Sequence, residues 1–448
     1  MAPVENNLPP PQKAAPSNQW PTHPEIEPRE TRNLTLLAIH QVVFRVGWIF
    51  KTENVIMPAF LDSLAGAGWL RGCMPALKRL GQSIPPVFLA ERLKGVRQKK
   101  FALAACMLLM SLPFALLSIA CHASATQRYA WMPALFLVLY ALFFVFYGLY
   151  LLSFGTVQGK LIRPRRRGFL LLVSTFWGTL PAMAFAWWLL SYWLDLPGGG
   201  FGYIFGFTAI CFLLSGPAVL LVSEPADDGP QRPTPRAIDC LADTWSALRR
   251  DANLRRLVVV AMLFGSGLII GPHYQALARE KLGLSGMHLM VWVITQNASV
   301  GVLSLFVGPL ADALGNRLTL RTLILGSAIA PLFATLLAYN GQSWAGLFWL
   351  VYIPLGIAPL GLGILANYTL EICDPADHPR YLSTVNLCLA ASFAFSPLVG
   401  WLVDLVGFST VFLAAAGLIL LGGRMTFGLE EPRHRADEDR IGPFDASG

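Results

Sequence analysis

The sequence Gly308-Pro309-Leu310-Ala311-Asp312-Ala313-Leu314-Gly315-Asn316-Arg317 lies between two long apolar runs. Its spacing, Gly-x-x-x-Asp-x-x-Gly-x-Arg, suits a tight turn between two helices, because an acid can cap a helix N-terminus and glycine permits a positive φ. A degraded copy, Leu89-Ala90-Glu91-Arg92-Leu93-Lys94-Gly95-Val96-Arg97, follows another apolar run half a chain upstream. One such turn carries little information, since soluble proteins contain them too. Two copies half a chain apart indicate an internal repeat.

The composition is that of a membrane protein. Of the 448 residues, 55% are hydrophobic and 13% are charged, whereas a soluble domain has about 25% charged residues. The formal charge of +8 does not predict a nucleic-acid partner, because the basic residues lie in short connections between apolar runs rather than on one surface. The seven cysteines have no CxxC pair or metal-ligand spacing, so neither a metal nor a cofactor is predicted.

Twelve apolar runs are long enough to cross a bilayer as helices, which takes about 20 residues each. The sequence therefore predicts an all-α integral membrane protein with twelve transmembrane helices. Within the middle segment, the apolar spacing between Ala237 and Arg256 suggests a short amphipathic helix on the membrane surface, and we prefer to interpret the segment as a structural linker. The predicted segments are a disordered cytoplasmic tail 1–32, a six-helix bundle 33–222, a cytoplasmic linker 223–255, a second six-helix bundle 256–428 and a cytoplasmic tail 429–448.

Lysine and arginine predict the orientation in the bilayer. They concentrate in the even-numbered connections, such as 92–100 and 160–167, whereas the odd-numbered connections contain Arg128, Arg279 and Lys281 alone. Connections rich in lysine and arginine stay in the cytoplasm. We therefore expect a multi-pass protein of the cell (inner) membrane with both termini in the cytoplasm.

The repeated turn resembles the signature loop of the major facilitator superfamily of transporters. Other positions of the two halves correspond as well, such as Leu64-Ala65-Gly66 with Leu284-Ser285-Gly286 and Arg167-Gly168 with Arg380-Tyr381. The resemblance covers residues 33–428. It implies two six-helix bundles that rock around a central site near the membrane midplane, and a small-molecule solute as the partner besides lipid. We expect a monomer. The residues for which we predict a gating role are Glu91, Arg92, Arg167, Gly308, Asp312, Gly315, Arg317 and Arg380.

Polar side chains at membrane depth are candidates for function, because burying an ionisable group in lipid is costly. The predicted substrate or coupling residues are Arg45, Lys51, Glu53, Lys78, Arg79, Gln82, His273, Gln296 and Asn367. In the functional interpretation a basic cavity wall attracts an organic anion or zwitterion, and Glu53 carries a proton. In the structural interpretation Glu53 pairs with a nearby base, Lys78 and Arg79 form structural pairs, and Arg71 extends to the outer surface.

Several alternatives stay open. The fifth span has Gly178-Thr179-Leu180-Pro181 where drug/proton antiporters of the superfamily typically have Gly-Pro-x-x-Gly-Gly, which weakens a drug-efflux function but leaves it open. A membrane enzyme is disfavoured, because the membrane-depth segments contain neither paired carboxylates nor a metal-ligand cluster. A non-transporting sensor fits the same fold. No nucleotide-binding Gly-x-x-x-x-Gly-Lys-Ser/Thr sequence is present, so proton coupling and facilitated diffusion both fit.

Overall fold

The computed structural model describes residues 27–124, 129–163, 166, 169–170, 173–226, 237–374 and 377–431, with the side chains of 27, 85–95, 174–175 and 237–243 outside the description. In these ranges all regular secondary structure is helical. The prediction of an all-α fold is therefore confirmed.

The first bundle is formed by the described residues between 27 and 226. Its fifth crossing is divided into short pieces, with π-helical turns at Val173–Trp177 and Ala186–Leu190. The α-helices are α1 (Glu30–Phe50), α2 (Ile56–Leu64), α3 (Gly68–Gly95), α4 (Lys99–Ala123), α5 (Met132–Leu161), α6 (Thr179–Phe185), α7 (Ser191–Leu194) and α8 (Phe201–Leu220).

The second bundle is formed by the described residues between 237 and 431. The α-helices are α9 (Ala237–Arg250), α10 (Ala252–Ile269), α11 (His273–Leu282), α12 (Met287–Leu314), α13 (Asn316–Ser327), α14 (Ile329–Asn340), α15 (Tyr352–Leu355), α16 (Ile357–Glu371), α17 (His378–Phe393), α18 (Ser396–Val406) and α19 (Phe408–Met425). The helix predicted within the linker is present as α9, and it packs against α17 and α10.

Nine helical stretches among the described residues are long and apolar enough to cross a membrane. One of them, 316–371, has 56 residues and turns back at Gly341, where φ is +62°, so it contains two crossings. Two further crossings are not among these nine stretches. Helix α3 has 28 residues, but its charged side chains lower its hydropathy. The fifth crossing is interrupted by its π-helical turns. Twelve crossings in two six-helix bundles are consistent with this arrangement. The chain is a multi-pass membrane protein.

We call the end of the bundles near residues 27–30, 223–226 and 429–431 the linker end, and the opposite end the far end. The main contacts between the bundles join α3 to α18 and, less extensively, to α17, the last turns of the fifth crossing to α12, and α2 to α11. These pieces lie mostly in the far half of their crossings. The far end is therefore closed in this structure.

Glycine permits the closest of these contacts, between α3 and α18. A Cβ on Gly72 would overlap the backbone of Ser396, and a Cβ on Gly400 would overlap the backbone of Gly68. With no side chains in the way, Ser396 Oγ donates a hydrogen bond to Gly72 O at 2.6 Å. Small residues allow such close approach of membrane helices, whose association depends on packing and interhelical hydrogen bonds.

Candidate functional site

A cavity with a volume of about 470 Å³ lies between the bundles at mid-height. Its lining is polar and charged on the first bundle, and mainly apolar on the second, which contributes Gln296 and Asn297 as its polar side chains. The charged residues of the described lining are Arg45, Glu53, Lys78 and Arg79, all from the first bundle. The wall therefore combines three cationic side chains with one carboxylate.

Glu53 lies between two lysines. Its Oε1 pairs with Lys51, and its Oε2 pairs with Lys78 at 2.5 Å. The Lys51 ammonium is fully buried over the Trp48 ring, 3.1 Å from the ring centroid, whereas 38% of the Lys78 side chain is exposed. Because a cation–π contact and an ion pair both hold Lys51 behind the wall, Lys78 is the lysine that a solute can contact.

Two arginines complete the basic wall. Arg45 Nε donates to Thr179 Oγ1 in the fifth crossing at 3.3 Å. Arg79 Nη2 donates to Asn386 Oδ1 on α17 at 2.7 Å and so connects the two bundles. A guanidinium has five N–H groups, so each arginine has further donors for a solute.

A buried hydrogen-bond chain runs from α8 through α1 and α5 to the cavity. His40 is fully buried, and its Nδ1 lies 2.9 Å from Ser215 O. Its Nε2 lies 3.3 Å from the Tyr150 hydroxyl. Gln41 Nε2 donates to the same hydroxyl at 2.8 Å, and Gln41 lines the cavity.

The other predicted candidates have different positions. Gln82 and Gln296 line the cavity. His273 is fully buried at the start of α11, with no hydrogen-bond partner at either ring nitrogen among the described residues, and lies outside the lining. Asn367 is exposed, one turn from the linker end of α16, and is likewise outside the lining.

A cluster of five charged residues, the far-end cluster, lies between the cavity and the far end. Arg71, only 1% exposed, is at its centre: Nη1 is 2.8 Å from Asp62 Oδ1 and 3.2 Å from Glu280 Oε1, and Nη2 is 3.8 Å from Asp404 Oδ1. Arg279 Nη2 lies 3.5 Å from Asp62 Oδ2. These residues belong to α2, α3, α11 and α18, so the ion pairs connect the bundles. The expectation that Arg71 extends to the outer surface is wrong, because this cluster buries it.

The loop at 308–317 connects α12 to α13 at the linker end. Gly315 ends α12 with φ +88°, as a turn glycine should, and Asp312 is exposed one turn before it. Arg317 does not contact the first bundle through its described bonds: its Nε pairs with Glu431 at 3.0 Å, and its Nη1 donates to Leu429 O at 3.0 Å.

The remaining predicted gating residues belong to the second bundle or lie partly or wholly outside the described residues. Gly308 lies within α12, with open space where a Cβ would point. Arg380 donates to Ser246 on α9 and lies 3.8 Å from Asp377. The side chains of Glu91 and Arg92, and the whole of Arg167, lie outside the described residues.

Solved transporter structures share this fold across nine-tenths of the chain. The nucleoside transporter NupG matches with a TM-score of 0.66 at 13% identity, covering 90% of this chain and 100% of that one. A proton-dependent oligopeptide transporter matches with 0.65 at 12% identity, covering 90% and 100%. The E. coli fucose:proton symporter FucP matches with 0.57 at 14% identity, covering 90% and 99%. Identities this low show the fold alone.

The sequence itself matches a family model. Residues 269–445 match the model of the Major Facilitator Superfamily. This part of the chain is similar to the Major Facilitator Superfamily. No curated protein matches it. The resemblance drawn from the repeated turn is therefore confirmed, and the family match covers the half that contains the better copy of that turn.

Two acids of the far-end cluster are missing from the candidates predicted from the sequence. Asp62 and Asp404 lie at the ends of apolar runs, where an acidic residue is typical of an ordinary loop. The sequence does contain one indication that Asp62 forms an ion pair. Arg71 follows Asp62 across a short connection that has no other basic residue. An acid and a base on adjacent span ends can form a buried pair, which the structure shows at 2.8 Å.

Proposed function

We propose that this chain is a secondary transporter that moves an organic anion or zwitterion across the cell membrane by alternating access. The observation that carries the proposal is the one-sided charge of the cavity, where Arg45, Lys78 and Arg79 face a mainly apolar wall and Glu53 is the one acid of the described lining. Positive charge in a cleft with low-dielectric walls raises the local concentration of anions. The apolar wall suits the non-polar body of the same solute.

The Glu53–Lys78 pair offers a route for proton coupling. Lys78 is partly exposed to the cavity, whereas Lys51 is buried behind it. An anion that binds Lys78 competes with Glu53 for the same ammonium group. We infer that solute binding weakens this ion pair and lets Glu53 take up a proton, so that anion and proton move together.

Binding of matched ligands to the purified protein tests the sign of the cargo. We choose 3-phenylpropanoate and 3-phenylpropylamine, because they share a body and differ in charge, and because Phe44, Trp48 and Tyr147 line the cavity. The carboxylate is expected to raise the melting temperature and the amine is not. The double variant Lys78→Gln/Arg79→Gln is expected to weaken carboxylate binding at least tenfold, about 1.4 kcal/mol.

A matched control separates cavity charge from total charge. Lys281 is exposed at the far end, so Lys281→Gln changes the net charge without touching the cavity. It should leave binding unchanged. Preferential binding of the amine, with an affinity that the double variant does not alter, would overturn the proposed function.

A further inference from the structure

We propose that Gln41 presents a fixed hydrogen-bond acceptor to the solute, and that the cavity therefore selects anions with a hydroxyl or amine close to the acidic group. This rests on the proposed function, because it narrows the solute class of the same cavity. The basis is the buried chain from Ser215 through His40 and Tyr150 to Gln41, whose hydrogen atoms can be assigned one by one.

The assignment begins at Ser215. A backbone carbonyl can only accept, so His40 Nδ1, 2.9 Å from Ser215 O, carries a hydrogen. The imidazole is fully buried among the rings of Phe44, Tyr150 and Phe154, surroundings that suit the neutral ring. A neutral imidazole with its hydrogen on Nδ1 accepts at Nε2. The Tyr150 hydroxyl, 3.3 Å from Nε2, therefore donates its single hydrogen to His40.

The direction at Gln41 follows from this assignment. Having donated to His40, the Tyr150 oxygen can only accept, so the Gln41 atom 2.8 Å from it is the amide nitrogen. The other end of the amide is the carbonyl Oε1, and Gln41 lines the cavity. No hydrogen bond between described residues uses this oxygen. A free glutamine can rotate to offer either end, but this one is anchored through α5 and α8 as an acceptor.

The position of Gln41 limits the geometry of the solute. Arg45 follows Gln41 by one helical turn on α1, and both line the cavity. Side chains four residues apart on a helix have Cβ atoms about 5–6 Å apart. A solute that binds both places its donor near its acidic group, as 2-hydroxy and 2-amino acids do. Gln296, on the opposite wall, also has a buried Oε1 with no partner in the described part of the chain.

A pair of acids that differ by one hydroxyl group tests the inference. We expect phenyllactate to bind about fivefold or more tightly than 3-phenylpropanoate, the gain of one additional hydrogen bond. Gln41→Leu should bring the ratio of the two affinities to about one. Tyr150→Phe frees the Gln41 amide to rotate and should reduce the preference, a change in discrimination that a merely structural role would not produce. Tyr274→Phe removes a buried hydroxyl of the second bundle and serves as the control.

The possible outcomes separate the two proposals. Equal binding of the two acids by the unmodified protein, or a preference that survives Gln41→Leu, would overturn the role of Gln41 and leave the basic cavity standing. Failure of every carboxylate to bind would instead overturn the proposed function. A preference lost in Gln41→Leu and Tyr150→Phe but kept in Tyr274→Phe supports the inference.

Discussion

Glu53 is the cavity residue for which we propose a role in proton coupling. Its carboxylate contacts one buried lysine and one lysine that the cavity exposes. A carboxylate held on both sides would be a purely structural ion pair if neither partner could move. The partial exposure of Lys78 distinguishes this site, because a solute can take the place of Glu53 at that lysine.

Replacement of Glu53 by glutamine tests the coupling role. Glutamine keeps the size and one hydrogen-bond acceptor but cannot bind and release a proton. We expect Glu53→Gln to abolish accumulation driven by a pH gradient in proteoliposomes while counterflow exchange of the anion persists. Asp195→Asn, at an exposed acid of the far end, is the control. Full pH-driven accumulation by Glu53→Gln would rule out this carboxylate as the coupling group.

At the residue scale, the sequence predicts which side chains are functional candidates better than it predicts their partners. The cost of charge in lipid identifies Arg45, Glu53, Lys78 and Arg79, and all four line the cavity. Partners depend on how crossings rotate and pack, which periodicity does not encode. Asn367 carries the same polar signal as Gln296 but lies outside the lining, because it is near the linker end of its helix.

At the scale of helices, we propose that the far-end cluster holds the two bundles together at the far end. Asp62 and Arg71 belong to the first bundle, and Glu280 and Asp404 to the second, so separating the bundles at this end breaks the contacts of Arg71 with both acids of the second. Removing one partner of a buried ion pair is strongly destabilising, because it leaves a charge without compensation. The cluster therefore favours the arrangement with the far end closed.

Arg71→Gln is expected to weaken this closed arrangement. The reporter is Asn54→Cys, which lies in the cavity lining, in a background without the seven native cysteines. A membrane-impermeant thiol reagent added on the far side should modify it about fivefold faster in Arg71→Gln, a shift on the order of 1 kcal/mol between the two arrangements.

Arg279→Gln is a second variant of the far-end cluster, with which the labelling rate of Arg71→Gln can be compared. Its side chain is 30% exposed, and Nη2 lies 3.5 Å from Asp62, farther than Arg71 lies from the same acid, so the loss of Arg279 should accelerate labelling less. An unchanged labelling rate in Arg71→Gln, at normal membrane abundance, would show that the cluster does not hold the far end closed.

Asp312 belongs to the same scale, because it is placed at a junction of two helices. It lies one turn before Gly315 and close to the N-terminus of α13, where a negative charge is favourable. We expect Asp312→Asn to reduce transport steeply without reducing membrane abundance. Asp374→Asn, an exposed acid at the same end, should be neutral. Normal flux in Asp312→Asn would remove the gating role.

The whole architecture can be predicted because twelve apolar runs and a repeated turn leave few alternatives. The conformation cannot be predicted in the same way, since both arrangements of the bundles use the same helices. The closed far end depends on contacts such as Gly72 with Ser396 and Arg71 with Glu280, which join residues of different bundles. Span length and charge counts contain no information on these contacts.

The orientation of the molecule remains a prediction from its loop charges. Arg249 is exposed on α9 and Asp195 is exposed at the far end. A membrane-impermeant maleimide applied to intact cells should label Asp195→Cys and spare Arg249→Cys, and permeabilised cells should label both. The opposite pattern in intact cells would place the linker end outside and reverse the topology.

Solute uptake by proteoliposomes tests the central claim, that the basic cavity moves anions. A panel of labelled organic acids and amines, compared between the unmodified protein and Lys78→Gln/Arg79→Gln, measures cargo sign and cavity involvement together. We predict uptake of an organic anion, with a KM that rises about tenfold or more in the double variant. Uptake of an organic cation with a KM indifferent to both substitutions would contradict the account.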